Sequence, residues 1–472
     1  MKLFDYQKQG IEFLVSKQGG MLLDEQGLGK TLQALEAVNR SDSKLLVVVC
    51  PAIMQGTWLH HVTKYLNKDI EYIIHSYEWY NNSNHIKEVY KKINKLKTSV
   101  VVDECHYIKT PTSKRSKTVY QMLLLENIKQ KILLTGTPIT RDIDDLYMPM
   151  SVFYNGNSNW YKSIFHFRRD LMNCKHSYFG DVYSGFKSEY SKNLLIGMLK
   201  RISLRRTKKQ VLSELPSISR QRIYIDIDAK VAKDSLKYLD YATYVINKDT
   251  DNAIKYEDFT SQMKEDATHI ATIRKALGIA KVKGTIEYID LYLETSKVNK
   301  LVVFAVHQDV ISLLVNALKE KYKDKYLIHE ITGATNKSKK DKVIESFQTD
   351  DKPQIIVANV IAGGVGITLT QAHAVMFAEI DWTPSNIMQA EARVHRITQD
   401  TNVQSIFLIA DNSLDARITE MTEHKLKLIK EELGEKDNKS DEALAFKEKV
   451  KKLKIKEEIK NKINSEIRRY EL

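Results

Sequence analysis

MLLDEQGLGKTLQALEAV, residues 21–38, is the stretch that decides how this chain is read. Residues 21–24 form a short apolar run of the strand type, residues 25–29 a turn, and the sequence from Lys30 onward a helix. Within the turn, Gly27 and Gly29 let the backbone curl so that its N–H groups face inward. The start of a helix adds a dipole that favours anions. Lys30 can then reach the β- and γ-phosphates of a nucleotide, and the Thr31 hydroxyl can bind Mg²⁺. A GxGKT match alone arises by chance, but between a strand and a helix it reads as a phosphate loop. The usual loop opens on Gly, where this chain has Asp24.

Outward from the loop, apolar runs of the same kind recur at residues 45–50, 99–103 and 131–135, and again at 301–306, 354–360, 374–380 and 404–410. They are continuous rather than alternating, the pattern of parallel strands covered by helices on both faces. Two such clusters predict an α/β fold with two parallel-sheet lobes. Residues 151–281 are dominated by Tyr, Lys and Phe, with one more strand candidate at 221–227. We read them as a mainly helical insertion and linker. The expected domains are an N-terminal lobe at 1–150, the insertion at 151–281, a C-terminal lobe at 282–425 and a basic helical tail at 426–472. In the tail, Phe446, Val450 and Leu453, then Ile459, Ile463 and Ile467, fall at helical spacing.

The run at 99–103 ends in Asp103-Glu104-Cys105-His106. Phosphate-loop ATPases need a carboxylate at a strand end to hold Mg²⁺ and a group that activates the attacking water. Asp103 fits the first role and Glu104 the second. A solvated acidic turn would not explain why the pair follows a buried strand. One strand later, Thr135-Gly136-Thr137-Pro138 offers hydroxyls that can sense a γ-phosphate. In the second lobe, GGVGIT at 363–368 lacks a following Lys-Ser/Thr, so it is no second nucleotide cradle; it can hold a nucleic-acid backbone. Arg393 and Arg396 stand at i, i+3, on one face of a helix, and can cross a cleft to a γ-phosphate. Taken alone, an ordinary basic helix face is the commoner explanation of such a pair.

Lys and Arg number 73 against 60 Asp and Glu, a net charge of +13. That excess suits a polyanion such as DNA or RNA, or an anionic membrane surface. No apolar run reaches the ~18 residues of a membrane helix. The N-terminus lacks a signal peptide's apolar stretch, so an intracellular protein is expected. The cysteines, Cys50, Cys105 and Cys174, have no paired spacing, and neither a disulfide framework nor a zinc site is indicated.

Further landmarks stand in a fixed order around these motifs. They are YQ at 6–7, CP at 50–51 with Trp58, DECHYIKT at 103–110, LTGTP at 134–138 and LRRTKKQVLSELP at 204–216. ITG at 331–333, GGVGITLT at 363–370, DWTP at 381–384 and QAEARVHRITQ at 389–399 follow. The ordered set resembles superfamily 2 helicases, specifically the SWI/SNF-type DNA translocases, over residues 3–423. VVFAVHQDV at 302–310, VMFAEIDWTP at 375–384 and Arg141 after the TGTP motif are similar to the HepA-related annealing-helicase branch. The resemblance implies two RecA-like lobes, with ATP and Mg²⁺ in the cleft between them. It implies that Gln7 recognises adenine and that Gly27, Gly29, Lys30, Thr31 and Gln389 line the nucleotide site. Asp103 and Glu104 would complete the hydrolytic site, with Thr31 and Asp103 on the metal. Arg393 and Arg396 would be finger arginines, and Thr368 and Trp382 would face the DNA track.

The expected activity is ATP-dependent translocation on duplex DNA, with remodelling of branched DNA or protein–DNA complexes. The chain departs from the pattern at Cys105 (usually Ala or Gly), His61 (near an expected Glu), Lys340 (for Arg) and Thr398 (for Gly). Cys105 also occurs in RNA-directed helicases, so RNA stays open as a partner. Two alternatives remain: a strand-separating DNA or RNA helicase, and an ATP-gated clamp. A strand-splitting aromatic wedge, if there is one, is sought at 160–167 or 178–186.

Overall fold

The computed structural model describes residues 3–432 except 141, 159, 178–179, 213–214, 238–260, 297, 324, 364–366 and 397–398. Arg141, Gly364, Gly366, Thr398 and the helical spacing read at 446–467 therefore lie outside the described residues.

The apolar runs become strands because both of their faces are covered. In β2 (Leu45–Cys50) and β4 (Thr98–Asp103), Val47, Val49, Val100 and Val102 enter one core while Leu46, Val48 and Val101 enter another on the opposite face. The remaining strands of this half are β1 (Gly19–Leu22), β3 (Glu71–Ser76), β5 (Ile128–Leu134) and β8 (Ser203–Leu204), in the all-parallel order β3-β2-β4-β5-β1-β8. The second sheet is also parallel. It runs β11-β12-β10-β13-β14-β9, with β9 at Ile218–Ile225, β10 at Lys300–Ala305, β11 at Leu327–Ile331, β12 at Gln354–Asn359, β13 at Ala374–Phe377 and β14 at Val403–Ala410. Its two cores alternate the same way, Val303 and Val357 on one face, Phe304 and Ile356 on the other. These are the two RecA-like lobes.

The segment between the lobes is helical over Ile164–Leu171, Glu189–Ile202 and Ser261–Ser296. It also contributes an antiparallel hairpin, β6 (Met172–Ser177) with β7 (Gly180–Phe186). Its strands β8 and β9 close the edges of the first and second sheets. The strand read at 221–227 is β9, paired to β14 along its whole length. The 36-residue helix Ser261–Ser296 is pinned to the second lobe by Lys281, whose buried ammonium meets Asp415 at 2.6 Å and the Leu408 carbonyl at 2.8 Å. Among the described residues no helix is long and apolar enough to cross a membrane.

The order β4-β5-β1 is what matters for chemistry. Parallel strands deliver all their C-terminal ends to one edge of the sheet, where open α/β folds hold ligands. The acidic pair after β4, the TGTP turn after β5 and the glycine loop after β1 are thus brought side by side.

Candidate active site

The loop after β1 takes the shape its glycines allow. Gly27 and Gly29 have φ of 89° and 75°, in the left-handed region that side chains resist, and Gly29 caps the helix Lys30–Asn39. A Cβ on Gly29 would lie 2.5 Å from the Gln7 amide nitrogen, so the glycine also makes room for that side chain. Gln7 is buried, donates to the Leu28 carbonyl at 3.3 Å and accepts from the Phe4 amide at 3.1 Å. Lys30 folds over the loop and donates to the carbonyls of Asp24 (2.7 Å) and Glu25 (3.4 Å) rather than to a carboxylate. Burial pulls its pKa down, against the upward pull of Glu104, Asp24 and Asp103. Thr31 follows in the first turn of the same helix.

Asp103 and Glu104 are held in different environments. Trp58 donates its indole N–H to Asp103 at 2.8 Å, and the Glu104 amide donates to the other Asp103 oxygen at 3.0 Å. Glu104 has φ of 51°, a strained value for a non-glycine residue, which swings its side chain away from the strand direction. Its carboxylate accepts from the Thr135 hydroxyl at 3.1 Å and lies 3.2 Å from His106 Nδ1. The Thr135 hydroxyl in turn accepts from the Thr137 amide at 3.1 Å, which links the TGTP turn to the acidic pair. Burial and the neighbouring Glu104 charge push the Asp103 carboxyl up. Burial pushes Glu104 up as well, but His106, Lys30 and Thr135 outweigh it and hold it down. At neutral pH Glu104 is a carboxylate with a hydrogen-bonded histidine beside it.

The second lobe supplies two guanidiniums. Arg393 ends the helix Pro384–Val394; Arg396 lies beyond the helix end, past the His395 cap. Helical spacing is therefore not what brings the two together, as the sequence reading had it. Arg396 reaches the cleft because the chain turns out of the helix. Its side chain packs against the phosphate loop: a Cβ on Gly27 would meet Arg396 Cγ at 3.3 Å. Arg396 donates to the Thr368 hydroxyl at 2.7 Å, and Arg393 donates to the carbonyls of Gln389 and Ile367. Among the described residues neither arginine has a carboxylate within salt-bridge distance. Burial, then repulsion from Arg396, drops the Arg393 pKa to about 10, with Glu104 of the first lobe pulling the other way. Half-buried cations left this way are costly, and an anion in the cleft would relieve them.

The remaining expected site residues spread more widely. Gln389 is buried within the helix Pro384–Val394. Thr368, read as facing nucleic acid, is engaged by Arg396. Trp382 lies under the Arg274 guanidinium, 4.3 Å from its ring centre, in a small cluster against the helix Ser261–Ser296. The aromatic wedge sought at 160–167 is largely core: Trp160 stacks on Tyr147 and Tyr154, and Phe167 is fully buried. Phe165 is exposed.

Sequence reasoning passed over four residues of the LRRTKKQVLSELP stretch and β9. Asp24, the residue in place of the usual first glycine, is fully buried and takes Arg206 in a two-pronged salt bridge, Nε to Oδ1 at 2.9 Å. Arg206 also donates to Gln33 Oε1 at 2.9 Å and to the Tyr6 carbonyl. Arg205 donates to the Leu23 carbonyl at 2.9 Å. Lys208 is buried between the lobes. Its amide donates to Glu25 at 2.7 Å, and its ammonium lies 3.7 Å from Glu25 and donates to the His395 carbonyl at 2.6 Å. Arg220 of β9 grips Glu391, with Nε to Oε1 at 2.8 Å, and so holds the helix that carries Arg393. One strand of chain thus fastens the phosphate loop at one end and the arginine helix at the other. The signal in the sequence is LRRTKKQVLSELP as one of the ordered landmarks, which marks the stretch without naming its partners.

The residues of the cleft fit a nucleotide. The loop is a cradle that side chains would fill. Gln26 Nε2 and Oε1 and Thr137 Oγ1, all at its rim, are buried without a hydrogen-bond partner. A Cβ on Gly136 would strike Gln26 Cγ at 2.5 Å and come within 3.3 Å of Lys30 Nζ, which places the TGTP turn against the loop. Unpartnered buried polar atoms beside a glycine loop are what a bound phosphate group would satisfy.

Fold and cleft together define a two-lobed phosphate-loop protein of the RecA-like class. A model of the SNF2-related domain matches residues 6–84 and 67–277, and one of the helicase conserved C-terminal domain matches residues 280–398. The chain belongs to the SNF2-related family. It is 28% identical over 441 residues to the SWI/SNF-related matrix-associated actin-dependent regulator of chromatin subfamily A-like protein 1 of Xenopus laevis, covering 90% of this chain and 44% of that one. It is 28% identical over 446 residues to the human DNA annealing helicase and endonuclease ZRANB3, covering 90% and 40%. The chain thus spans less than half the length of these curated relatives. A solved SWI2/SNF2 ATPase core of Sulfolobus solfataricus in complex with dsDNA covers 92% of this chain and 94% of that one at 22% identity, with a TM-score of 0.39.

Proposed function

We propose that this chain is an ATP-driven motor that translocates on duplex DNA and remodels branched DNA by annealing or branch migration. The observation that carries the motor reading is the cleft itself. Arg393 and Arg396, without a carboxylate partner among the described residues, come from the second lobe to face the phosphate loop and acidic pair of the first. A pure nucleotide switch needs no fast hydrolysis and hence no second-lobe cations at the γ-phosphate position. The DNA and the branched substrate rest on membership of the SNF2-related family and on the likeness to ZRANB3, which is named a DNA annealing helicase.

In this reading Gln7 packs against the base and the Gly27–Gly29 backbone and Lys30 hold the phosphates. Asp103 and Thr31 are the residues that would hold Mg²⁺, which neutralises phosphate charge and fixes its geometry when bound. Glu104 orients the attacking water and takes its proton, with Thr135 and His106 fixing the carboxylate. Arg393 and Arg396 stabilise charge building on the transferred phosphoryl group, and do so only when the lobes are closed. Closure would then be tied to the nucleotide, and movement along the backbone to closure.

Turnover with duplex DNA, single-stranded DNA and RNA tests the partner; the expected order puts duplex DNA first. ATP-dependent conversion of a four-way junction, compared with unwinding of a tailed linear duplex of equal length, tests the remodelling. Efficient unwinding of the linear duplex with no junction activity would move the assignment to a strand-separating helicase. Nucleotide-dependent DNA binding without turnover would make it a clamp.

A further inference from the structure

Far from the cleft, the hairpin β6–β7 brings together three side chains with metal-binding chemistry. His176 and Asp181 are directly opposed across the antiparallel ladder, and Cys174 is two residues back along β6, which puts it on the same face. Their ligand atoms all lie within 4.8 Å of one another. His176 Nδ1 is 2.6 Å from Asp181 Oδ1. The set is a thiol, an imidazole and a carboxylate rather than a patch of acids. A free cysteine is among the most buried of residue types, and Cys50 and Cys105 obey that rule; Cys174 is exposed. The hairpin's base is rigid, because Met172 is buried in the first-lobe core and the Gly185 amide donates to Asp142 at 3.0 Å. All three groups are exposed, and Tyr183, paired with Cys174 in the ladder, packs against the first-lobe core and anchors the strands beside them.

We propose that Cys174, His176 and Asp181 form a site for a borderline-soft transition ion of the Zn²⁺ type, with a fourth position left to solvent. Thiolate, imidazole and carboxylate are the zinc ligands, at about 2.3, 2.0–2.1 and 2.0–2.2 Å, and three protein ligands plus one open position is an established tetrahedral arrangement. Those bond lengths require ligands about 3.3 Å apart, so the His176–Asp181 pair opens by roughly 0.7 Å as the ion enters. Both side chains are well exposed, at 86% and 48%, and can make that adjustment without disturbing the core. Mg²⁺ is excluded as the occupant because it takes oxygen ligands in octahedral geometry. Binding releases the thiol proton to solvent and cross-links the hairpin's two strands near its tip.

The inference does not depend on the motor reading. Its test uses the full chain, reduced, freed of metal by chelation and dialysis, with Mg²⁺ in excess and no nucleotide. Co²⁺ is titrated in while the thiolate-to-cobalt charge-transfer absorption is followed. The expected result is a band that saturates at about one ion per chain, is displaced by Zn²⁺, and disappears in Cys174→Ser. His176→Ala and Asp181→Asn should weaken binding by roughly tenfold or more. Zn²⁺ should also protect Cys174 from alkylation in the wild-type chain. Absence of the band overturns the proposal, as does a band that survives Cys174→Ser. A band lost in Cys174→Ser but unmoved in both other variants overturns it too, since it would report a lone thiol. All three positions are exposed, so a normal unfolding temperature checks that each variant is folded.

Discussion

Replacing Arg206 by Met should destabilise the first lobe severely, and replacing Asp24 as well should restore part of the loss. The Arg206 guanidinium meets both oxygens of Asp24, the Gln33 side chain and the Tyr6 carbonyl, and Asp24 has no solvent exposure. Arg206→Met therefore strands a buried carboxylate and leaves two neutral acceptors unfilled. Breaking a buried pair from one side costs about 3–5 kcal/mol, a large share of the ~5–15 kcal/mol that stabilises a typical domain. In Arg206→Met with Asp24→Asn, the stranded charge is gone and mainly lost hydrogen bonds remain, each worth about 1 kcal/mol. The double variant should thus be more stable than Arg206→Met alone. The loop carrying Asp24 also carries Gly27 and Gly29, so ATP-analogue binding should weaken in the single variant and partly recover in the double. Calorimetric unfolding of the four proteins in the cycle, with nucleotide binding by fluorescence, gives the coupling energy. A single variant within about 0.5 kcal/mol of wild type, or a double no better than Arg206→Met, would refute the reasoning.

At the hydrolytic site, Lys30→Ala should abolish turnover, whereas Glu104→Gln should bind ATP and lose roughly 10²–10⁴ in rate; near-normal turnover by the latter removes Glu104 from the mechanism. Arg393→Ala and Arg396→Ala should each cut kcat by up to about 10³–10⁵ with little change in unfolding temperature, and wild-type rates in both would dismiss the two-lobe site. Lys208→Met should leave nucleotide affinity nearly intact while lowering DNA-stimulated kcat, because it unties Glu25 from the His395 carbonyl across the cleft; equal loss of KM and kcat would make it merely structural. The Glu391 carboxyl is pushed up by burial but held below its ordinary value by Arg220 and Ser405. Its contribution to stability is therefore present above the unfolded value of about 4.3 and is lost as pH falls through the lower folded value. Acid unfolding of the second lobe should accordingly steepen below about pH 4, and Glu391→Gln should flatten that segment; an unchanged slope counts against the pair.

Most of the two sheets is legible in the sequence, since a strand buried on both faces must be apolar at every position, and runs such as LVVF and LLVVVC are that. The strands of the two sheets left unread, β3, β8 and β11, stand at the sheet edges, where EYIIHS and LIHEI face water in part and the two-residue β8 is too short to carry the signal. The phosphate loop and acidic pair are legible for a similar reason: a backbone that must curl needs Gly27 and Gly29, and a strand end that would hold a metal needs a carboxylate such as Asp103. These are local demands, met by neighbours in the chain.

The rest is decided by distance in sequence. Nothing local marks Asp24 as the partner of a residue 182 positions away, or sends Lys208 to a carbonyl 187 positions on. Arg396 stands outside the helix that carries Arg393, because a helix end cannot be located to the residue from spacing alone. The Cys174–His176–Asp181 group escaped a reading of cysteine spacings because a hairpin register, not a sequence interval, assembles it. Sequence by itself determined which segments must be buried and which backbones must bend, as those follow from each residue's own solvation and stereochemistry. Tertiary structure alone decided which charges share a low-dielectric cleft, because the cost of burying a charge depends on what the fold puts beside it.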